Sequence, residues 1–189
     1  MLDHTGLFVE LTQFFLSYGR IQLQWNASLG RKFFGRGPAA SSLSYDFRCD
    51  CVLLDKLFRP EAILGGRGAW QLKPEAGVCD DKETVAQTIR CEAMGEKGCS
   101  LKELGQICEH YVSPRCINEK VTIFCLQRNS RKVSEIGCAT YEYEGTIVTV
   151  VPFQELKQQI GAGTFKYVLT LFSVQWLLLN GTELHANRA

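Results

Sequence analysis

Residues 77–99 decide the fold, and they read GVCDDKETVAQTIRCEAMGEKGC. Apolar residues recur in this segment every four positions, which is close to the period of one helix face, at Val85, Ile89 and Ala93. The spacing predicts a helix over residues 82–97. Gly98 follows directly, where helices commonly end on a glycine.

Two acidic residues of the predicted helix, Glu92 and Glu96, are four positions apart, so their carboxylates project from one face. Like charges repel each other there, whereas a hard divalent cation such as Mg²⁺, which takes oxygen ligands, would be bound by both. A solvated helix face is the commoner explanation of an isolated pair. The spacing alone leaves a metal site and a plain surface helix open.

The whole segment resembles the Nudix box, a loop–helix–loop in which glycine and glutamate residues stand at fixed intervals. The positions that match the box are Gly77, Glu83, Glu92, Ala93, Glu96, Gly98 and Cys99. Two positions depart from it. Cys91 stands where the box has an arginine, and Gly95 stands where it has the first of two paired glutamates.

Other segments extend this resemblance over residues 20–179. The run YVSPRCINEK at residues 111–120 resembles the loop Tyr-x-Ser-Pro-Gly-x-Thr-x-Glu of ADP-ribose pyrophosphatases, with Pro114 and Glu119 among the matches. LDKLFRP upstream resembles a strand that ends in Gln-Phe-Arg, and VLTLFSVQWLLLNG resembles the last helix of the family. The chain is therefore identified as similar to Nudix hydrolases of the ADP-ribose (nucleoside diphosphate sugar) pyrophosphatase subfamily.

The resemblance and the periodicity together predict an α+β fold, an α/β/α sandwich around a mixed sheet. The predicted strands are residues 20–25, the run CVLLDKLF within residues 47–58, residues 121–126 and residues 145–151. Turns are expected at residues 30–38 and 65–68, and closing helices at residues 153–160 and 166–179. Residues 1–40 would form N-terminal strands that make a dimer, and residues 41–189 would form the Nudix hydrolase domain.

The resemblance also implies a role for particular residues. The Ala76 carbonyl, Glu92 and Glu96 would bind Mg²⁺, or Mn²⁺ in its place, and a water would be activated by Glu142 or Glu144. Arg59 would contact the pyrophosphate or the base, because a guanidinium suits phosphate oxygens. Glu119 would recognise the terminal ribose. Judged without the resemblance, Arg59 and the two loop glutamates are ordinary surface charges.

Departures from the family pattern leave three hypotheses open. Cys91 supplies no cation, Gly95 removes a carboxylate, and Lys73 and Arg115 stand where relatives carry glutamate and glycine. The first hypothesis is a Mg²⁺-dependent enzyme that cleaves ADP-ribose or a related sugar nucleotide. The second is a catalytically weak or inactive nucleotide- or protein-binding module on the same fold. The third is an unrelated α+β protein.

Composition limits the partners and the compartment. A formal charge of +1 over 189 residues indicates neither a nucleic-acid partner nor an anionic membrane surface. No segment reads as a membrane span or a secretion signal, so a cytoplasmic protein whose nine cysteines are thiols is expected. An apolar stretch at residues 7–15 and the family resemblance predict a homodimer.

Overall fold

The computed structural model describes residues 10–20, 23–59, 61–64, 66, 68–80, 82–97, 102–132, 136–137 and 146–186. The chain opens with an antiparallel hairpin of β1 (Glu10–Arg20) and β2 (Leu23–Gly35). The remaining strands are β3 (Pro38–Asp46), β4 (Cys51–Phe58), β5 (Trp70–Lys73), β6 (Glu75–Val78), β7 (Lys102–Tyr111), β8 (Lys120–Gln127), β9 (Ile136–Gly137) and β10 (Thr146–Pro152). The helices are α1 (Glu61–Leu64), α2 (Val85–Lys97), α3 (Phe153–Gly161) and α4 (Val168–Ala186). A 3₁₀ turn covers Ser130–Lys132.

Strands β3 to β10 form one mixed sheet. Its main path runs β7-β8-β3-β4-β10-β9, with β5 paired to β4 and β6 paired to β3. Strand β3 runs parallel to β8 and antiparallel to β4 and β6. This mixed sheet with its helices confirms the predicted α+β class.

Helices cover both faces of the sheet. Successive side chains of a strand point to opposite faces, so alternating residues of one strand can pack against different helices. One buried cluster joins β3 and β4 to α3 and α4 through Leu43, Tyr45, Val52, Leu54, Leu156, Val174 and Leu177. A second cluster joins Ala40 of β3 to Ile89 of α2 and Phe124 of β8. Helix α2 therefore packs on the face opposite to α3 and α4, as the sandwich prediction requires.

The helix predictions are confirmed with shifted ends. The helix expected over residues 82–97 is α2 and begins at Val85. Residues 153–160 lie in α3, and the helix expected over residues 166–179 is α4, which begins at Val168 and continues to Ala186. The strand predictions for CVLLDKLF, for residues 121–126 and for residues 146–151 are confirmed as β4, β8 and β10. Gly98, Gly65 and Gly145 lie outside the described residues.

Two predictions for the N-terminal hairpin are wrong. Residues 20–25 do not form one strand, because β1 ends at Arg20, which pairs with Leu23 at the start of β2. Residues 30–38 are not a turn, because β2 continues to Gly35 and only Arg36 and Gly37 separate it from β3. The chain keeps its direction across these two residues, since Phe34 pairs in parallel with Ile117 and Pro38 in parallel with Lys120, and the φ of Gly37 is 77°. Pairing with β1 keeps the glycine-containing part of β2 extended despite its weak local preference for a strand.

Two general properties concern the helices and the cysteines of the described residues. No helix among them is both long enough and apolar enough to cross a membrane. Seven cysteines within the same part of the chain carry free thiols: Cys49, Cys51, Cys79, Cys91, Cys108, Cys116 and Cys125.

Candidate functional site

A cavity of about 1170 Å³ opens beside strand β6 and the first turn of α4. This volume is at the upper end of small-molecule pockets, which measure about 300–1,000 Å³. Its walls come from the ends of β4 and β7, from β6, from α2 and from the segment that leads into α4. The polar and charged lining residues are Arg36, Arg59, Lys73, Asp80, Glu83, Thr88, His110, Tyr111, Glu119, Thr146, Lys166 and Tyr167.

Three of the residues that the sequence selected lie on this cavity: Arg59, Ala76 and Glu119. Arg59 follows β4, and its backbone N–H donates to the carbonyl of Ala69 at 2.7 Å. Ala76 lies in β6 opposite Ser41 of β3. Three segments that are distant in sequence thus converge on one space.

The other four selected residues are glutamates, and their side chains lie outside what the structure describes. Glu92 and Glu96 belong to the backbone of α2. Thr88 and Cys91 of the same helix line the cavity, so the turn that carries Glu92 borders it. Glu142 and Glu144 lie wholly outside the described residues.

Glu119 forms an ion pair with Arg36, a residue that the sequence reading missed. The Arg36 Nη1 lies 3.6 Å from a Glu119 carboxylate oxygen, and the two side chains are 43% and 10% exposed. Asn118 holds the link between β2 and β3 in place, because its side-chain oxygen accepts the N–H of Arg36 at 2.7 Å and the N–H of Gly37 at 3.2 Å. Solvent screens the pair on the arginine side, so the pair contributes little to the stability of the fold. Its main effect is to hold the two side chains in position.

Tyr167, immediately before α4, was also missed. Its side chain lines the cavity and packs on a buried cluster that contains Val121, Ile123 and Leu169. Burial raises the pKa of the phenol; Arg59 opposes the shift and Glu119 adds to it. The hydroxyl therefore stays neutral near pH 7 and can both donate and accept a hydrogen bond.

Acidic and basic side chains meet on the cavity wall near Ala76. Asp80 and Glu83 contribute carboxylates, and a Glu83 oxygen accepts the Thr88 hydroxyl at 3.1 Å. Lys73 of β5 lines the same cavity. Among the described side chains, no carboxylate pairs with the Lys73 ammonium, which leaves its charge available to a ligand.

A fully buried ion pair lies next to the cavity wall. Glu75, the neighbour of Ala76, lies 3.0 Å from the guanidinium of Arg128, and neither side chain is exposed. A Glu75 carboxylate oxygen also accepts the Ser42 hydroxyl at 2.8 Å. The backbone carbonyl of Glu75 accepts the Ser41 hydroxyl at 2.8 Å. Strand β6 is thereby fixed to β3 and to the end of β8, which gives the Ala76 backbone a rigid support.

Within the side chains that the structure describes, no group of three His, Cys, Asp or Glu residues forms a metal cluster. The carboxylates of Glu92 and Glu96 are not among these side chains. Metal binding by the two glutamates therefore stays a prediction.

No family model matches the chain. Comparison with other proteins gives distant relatives that are named as pyrophosphatases. The ADP-ribose pyrophosphatase of Escherichia coli strain K12 is 27% identical over 157 residues, which are 83% of this chain and 75% of that protein. The GDP-mannose pyrophosphatase of Yersinia enterocolitica is 29% identical over 154 residues, or 80% of this chain and 78% of that protein. That of Pectobacterium atrosepticum is 26% identical over 152 residues, with coverages of 80% and 78%.

Proposed function

We propose that this chain hydrolyses the pyrophosphate bond of ADP-ribose or a related nucleoside diphosphate sugar and releases a nucleoside monophosphate and a sugar phosphate. The observation that carries the proposal is the position of Arg59, Ala76 and Glu119 on one cavity, because all three were selected from separate segments of the sequence. Similarity to pyrophosphatases of ADP-ribose and of GDP-mannose supports the same reaction. The proposal includes the Nudix fold, with residues 77–99 as its box.

Charge on the cavity wall suits a diphosphate. Arg36, Arg59, Lys73 and Lys166 contribute four cationic side chains to the described lining. A guanidinium such as that of Arg59 can bind two phosphate oxygens at once, whereas an ammonium acts as a point charge. Glu119 accepts hydrogen bonds and suits the hydroxyls of a sugar.

The donors near Ala76 fit a hard divalent cation. Asp80 and Glu83 line the cavity with carboxylates beside the Ala76 and Gly77 backbone, and Mg²⁺ takes oxygen ligands of this kind. We propose that the Ala76 carbonyl, Glu92 and Glu96 hold Mg²⁺, for which Mn²⁺ can substitute. When bound, the cation supplies charge neutralisation at the pyrophosphate and lowers the pKa of a coordinated water.

The proton of the attacking water needs an acceptor within hydrogen-bond reach. Glu142 and Glu144 are proposed for this role, and the choice between them stays open. Thr146, two residues beyond Glu144 in the chain, lines the cavity. Either carboxylate would take the proton as the water oxygen attacks phosphorus and the bridging oxygen leaves with one phosphate.

A second function, ligand binding without turnover, is favoured by one specific observation. Cys91 lines the cavity at the position where the Nudix box has its arginine, so the wall lacks that cation. Gly95 likewise replaces a carboxylate and places a flexible residue inside α2. A protein with these two changes can keep the cavity and bind the sugar nucleotide while it hydrolyses slowly or not at all.

The experiment that separates these functions is incubation with ADP-ribose and with GDP-mannose, each with Mg²⁺ and with EDTA. Products are identified by chromatography. Release of a nucleoside monophosphate and a sugar phosphate in the Mg²⁺ arm alone supports the enzyme. Binding of either compound by calorimetry without product release supports the binding module instead.

We also propose that the protein is a homodimer joined through residues 1–40. Strands β1 and β2 form a two-stranded sheet of their own, and an isolated hairpin is marginally stable in water. Pairing with a second copy would bury such a hairpin. Light scattering should give twice the chain mass of 21.2 kDa at micromolar concentration, and a monomer mass would contradict the proposal.

A further inference from the structure

The hydroxyl of Tyr167 has no hydrogen-bond partner among the described residues. The side chain lines the cavity, and its ring packs in the cluster that contains Val121 and Leu169. The Tyr167 carbonyl accepts the N–H of Leu171 at 3.1 Å, which fixes the backbone at the start of α4.

Three charged residues line the same cavity as Tyr167 and act electrostatically on its phenol. They are Arg36, Arg59 and Glu119. Two of the three are paired with each other, since Arg36 lies 3.6 Å from Glu119. The cavity that Tyr167 lines thus also holds a cation suited to phosphate and an acid suited to sugar hydroxyls.

The position of Tyr167 on the cavity favours contact with a ligand. A hydroxyl on a residue of the cavity, without a partner among the described residues, can exchange a hydrogen bond to water for one to a ligand. Because burial also raises the pKa of Tyr167, the group is a neutral phenol that can donate to an anionic oxygen. A phenolate would repel a phosphate, and the neutral form does not.

We propose that the Tyr167 hydroxyl donates a hydrogen bond to the sugar-phosphate half of the ligand, between Arg59 and Glu119, and so determines specificity for sugar-bearing nucleotides. The inference rests on the proposed function for the class of ligand. It does not require turnover. It predicts that Tyr167 discriminates a nucleoside diphosphate sugar from a nucleoside monophosphate, which lacks the distal phosphate and its sugar.

The test compares two ligands and three proteins by calorimetry in the presence of Mg²⁺. The first ligand is the methylene-bridged, non-hydrolysable analogue of ADP-ribose. The second ligand is AMP. The proteins are wild type, Tyr167→Phe and Tyr45→Phe. The matched control removes a tyrosine hydroxyl that hydrogen-bonds Asp50 in the core and takes no part in the cavity.

We expect Tyr167→Phe to bind the analogue about 10- to 150-fold more weakly, since one hydrogen bond to a charged group contributes about 1.5–3 kcal/mol. Affinity for AMP should not change, and Tyr45→Phe should bind both ligands as wild type does. Equal affinity of wild type and Tyr167→Phe for the analogue overturns the Tyr167 proposal. An equal loss for both ligands also overturns it.

A separate incubation of wild type with ADP-ribose and Mg²⁺ tests the proposed function independently of the calorimetry. If wild type binds the analogue but releases no product from ADP-ribose, the enzyme proposal fails while the comparison of Tyr167→Phe with wild type still decides the role of Tyr167. If wild type does not bind the analogue at all, both proposals are wrong.

Discussion

The buried pair of Glu75 and Arg128 gives the sharpest prediction about stability. Neither side chain is exposed, and the guanidinium lies 3.0 Å from the carboxylate, so solvent screens the interaction little. Replacement Arg128→Met would leave a carboxylate in the interior with the hydroxyl of Ser42 at 2.8 Å as a remaining donor. Removing one partner of a buried pair costs about 3–5 kcal/mol.

That cost is a large share of the total, since domains are stable by about 5–15 kcal/mol. Glu75→Leu should cost a similar amount, because it leaves the Arg128 cation without its 3.0 Å partner. The double variant should be more stable than either single variant, because it removes both charges of the pair together. Ser42 would keep the double variant below wild type, since its hydroxyl would lose an acceptor.

The assay is urea unfolding of wild type, both single variants and the double variant, analysed as a double-mutant cycle. A coupling energy of about 2 kcal/mol or more is expected for groups in direct contact. If the two single effects simply add, within about 0.5 kcal/mol, the pair does not act as a unit. Additive effects would then refute the claim that the Glu75–Arg128 pair fixes β6 in place.

Three further predictions concern the core, the cavity and the box. Burial alone would raise the pKa of Asp46, but hydrogen bonds from the Ser130 hydroxyl and from backbone N–H groups lower it. Ionised Asp46 therefore stabilises the folded state above the unfolded pKa of about 3.9, and this contribution is lost as pH falls through the lower folded pKa. Urea unfolding of Asp46→Asn should not show this loss of stability in the acid range. In EDTA, Lys73→Glu should bind the ADP-ribose analogue at least about tenfold more weakly by calorimetry, because it reverses a charge on the cavity wall; unchanged affinity would show that Lys73 does not contact the diphosphate. The pair of changes Cys91→Arg and Gly95→Glu should raise turnover and the melting temperature, because a helix glycine costs about 1 kcal/mol relative to alanine; a drop in both would contradict the match to the box.

Local sequence was sufficient for the elements with a continuous apolar pattern. Helix α2 was predicted because its apolar residues recur at helical spacing. Strand β4 was predicted from the run CVLLDKLF, and β8 and β10 were predicted because they are rich in β-branched residues. Strand β3 could not be predicted in this way, because it carries the buried serines Ser41, Ser42 and Ser44. Their hydroxyls bond Glu75, which lies more than 30 positions away, so local sequence does not reveal why they are buried.

The residues of the candidate site also divide into those that the sequence predicted and those that it did not. Arg59, Ala76 and Glu119 were found because each belongs to a segment with a family resemblance, and all three line the cavity. Arg36 was missed because it lies in the short link between β2 and β3, and its contacts with Asn118 and Glu119 join residues about 80 positions apart in the sequence. Tyr167 was missed because the charged residues that act on its phenol, Arg36, Arg59 and Glu119, come from three other segments of the chain. No spacing in the sequence predicts that arrangement.

The central claim, hydrolysis that depends on a cation held by α2, is tested most directly by turnover of wild type and Glu96→Gln at one Mg²⁺ concentration. ADP-ribose is the substrate, and release of AMP is measured. The account predicts AMP release by wild type and a loss of about a hundredfold or more in the variant, because a metal contributes several kcal/mol to the transition state. Equal turnover of the two proteins would contradict metal catalysis at this site.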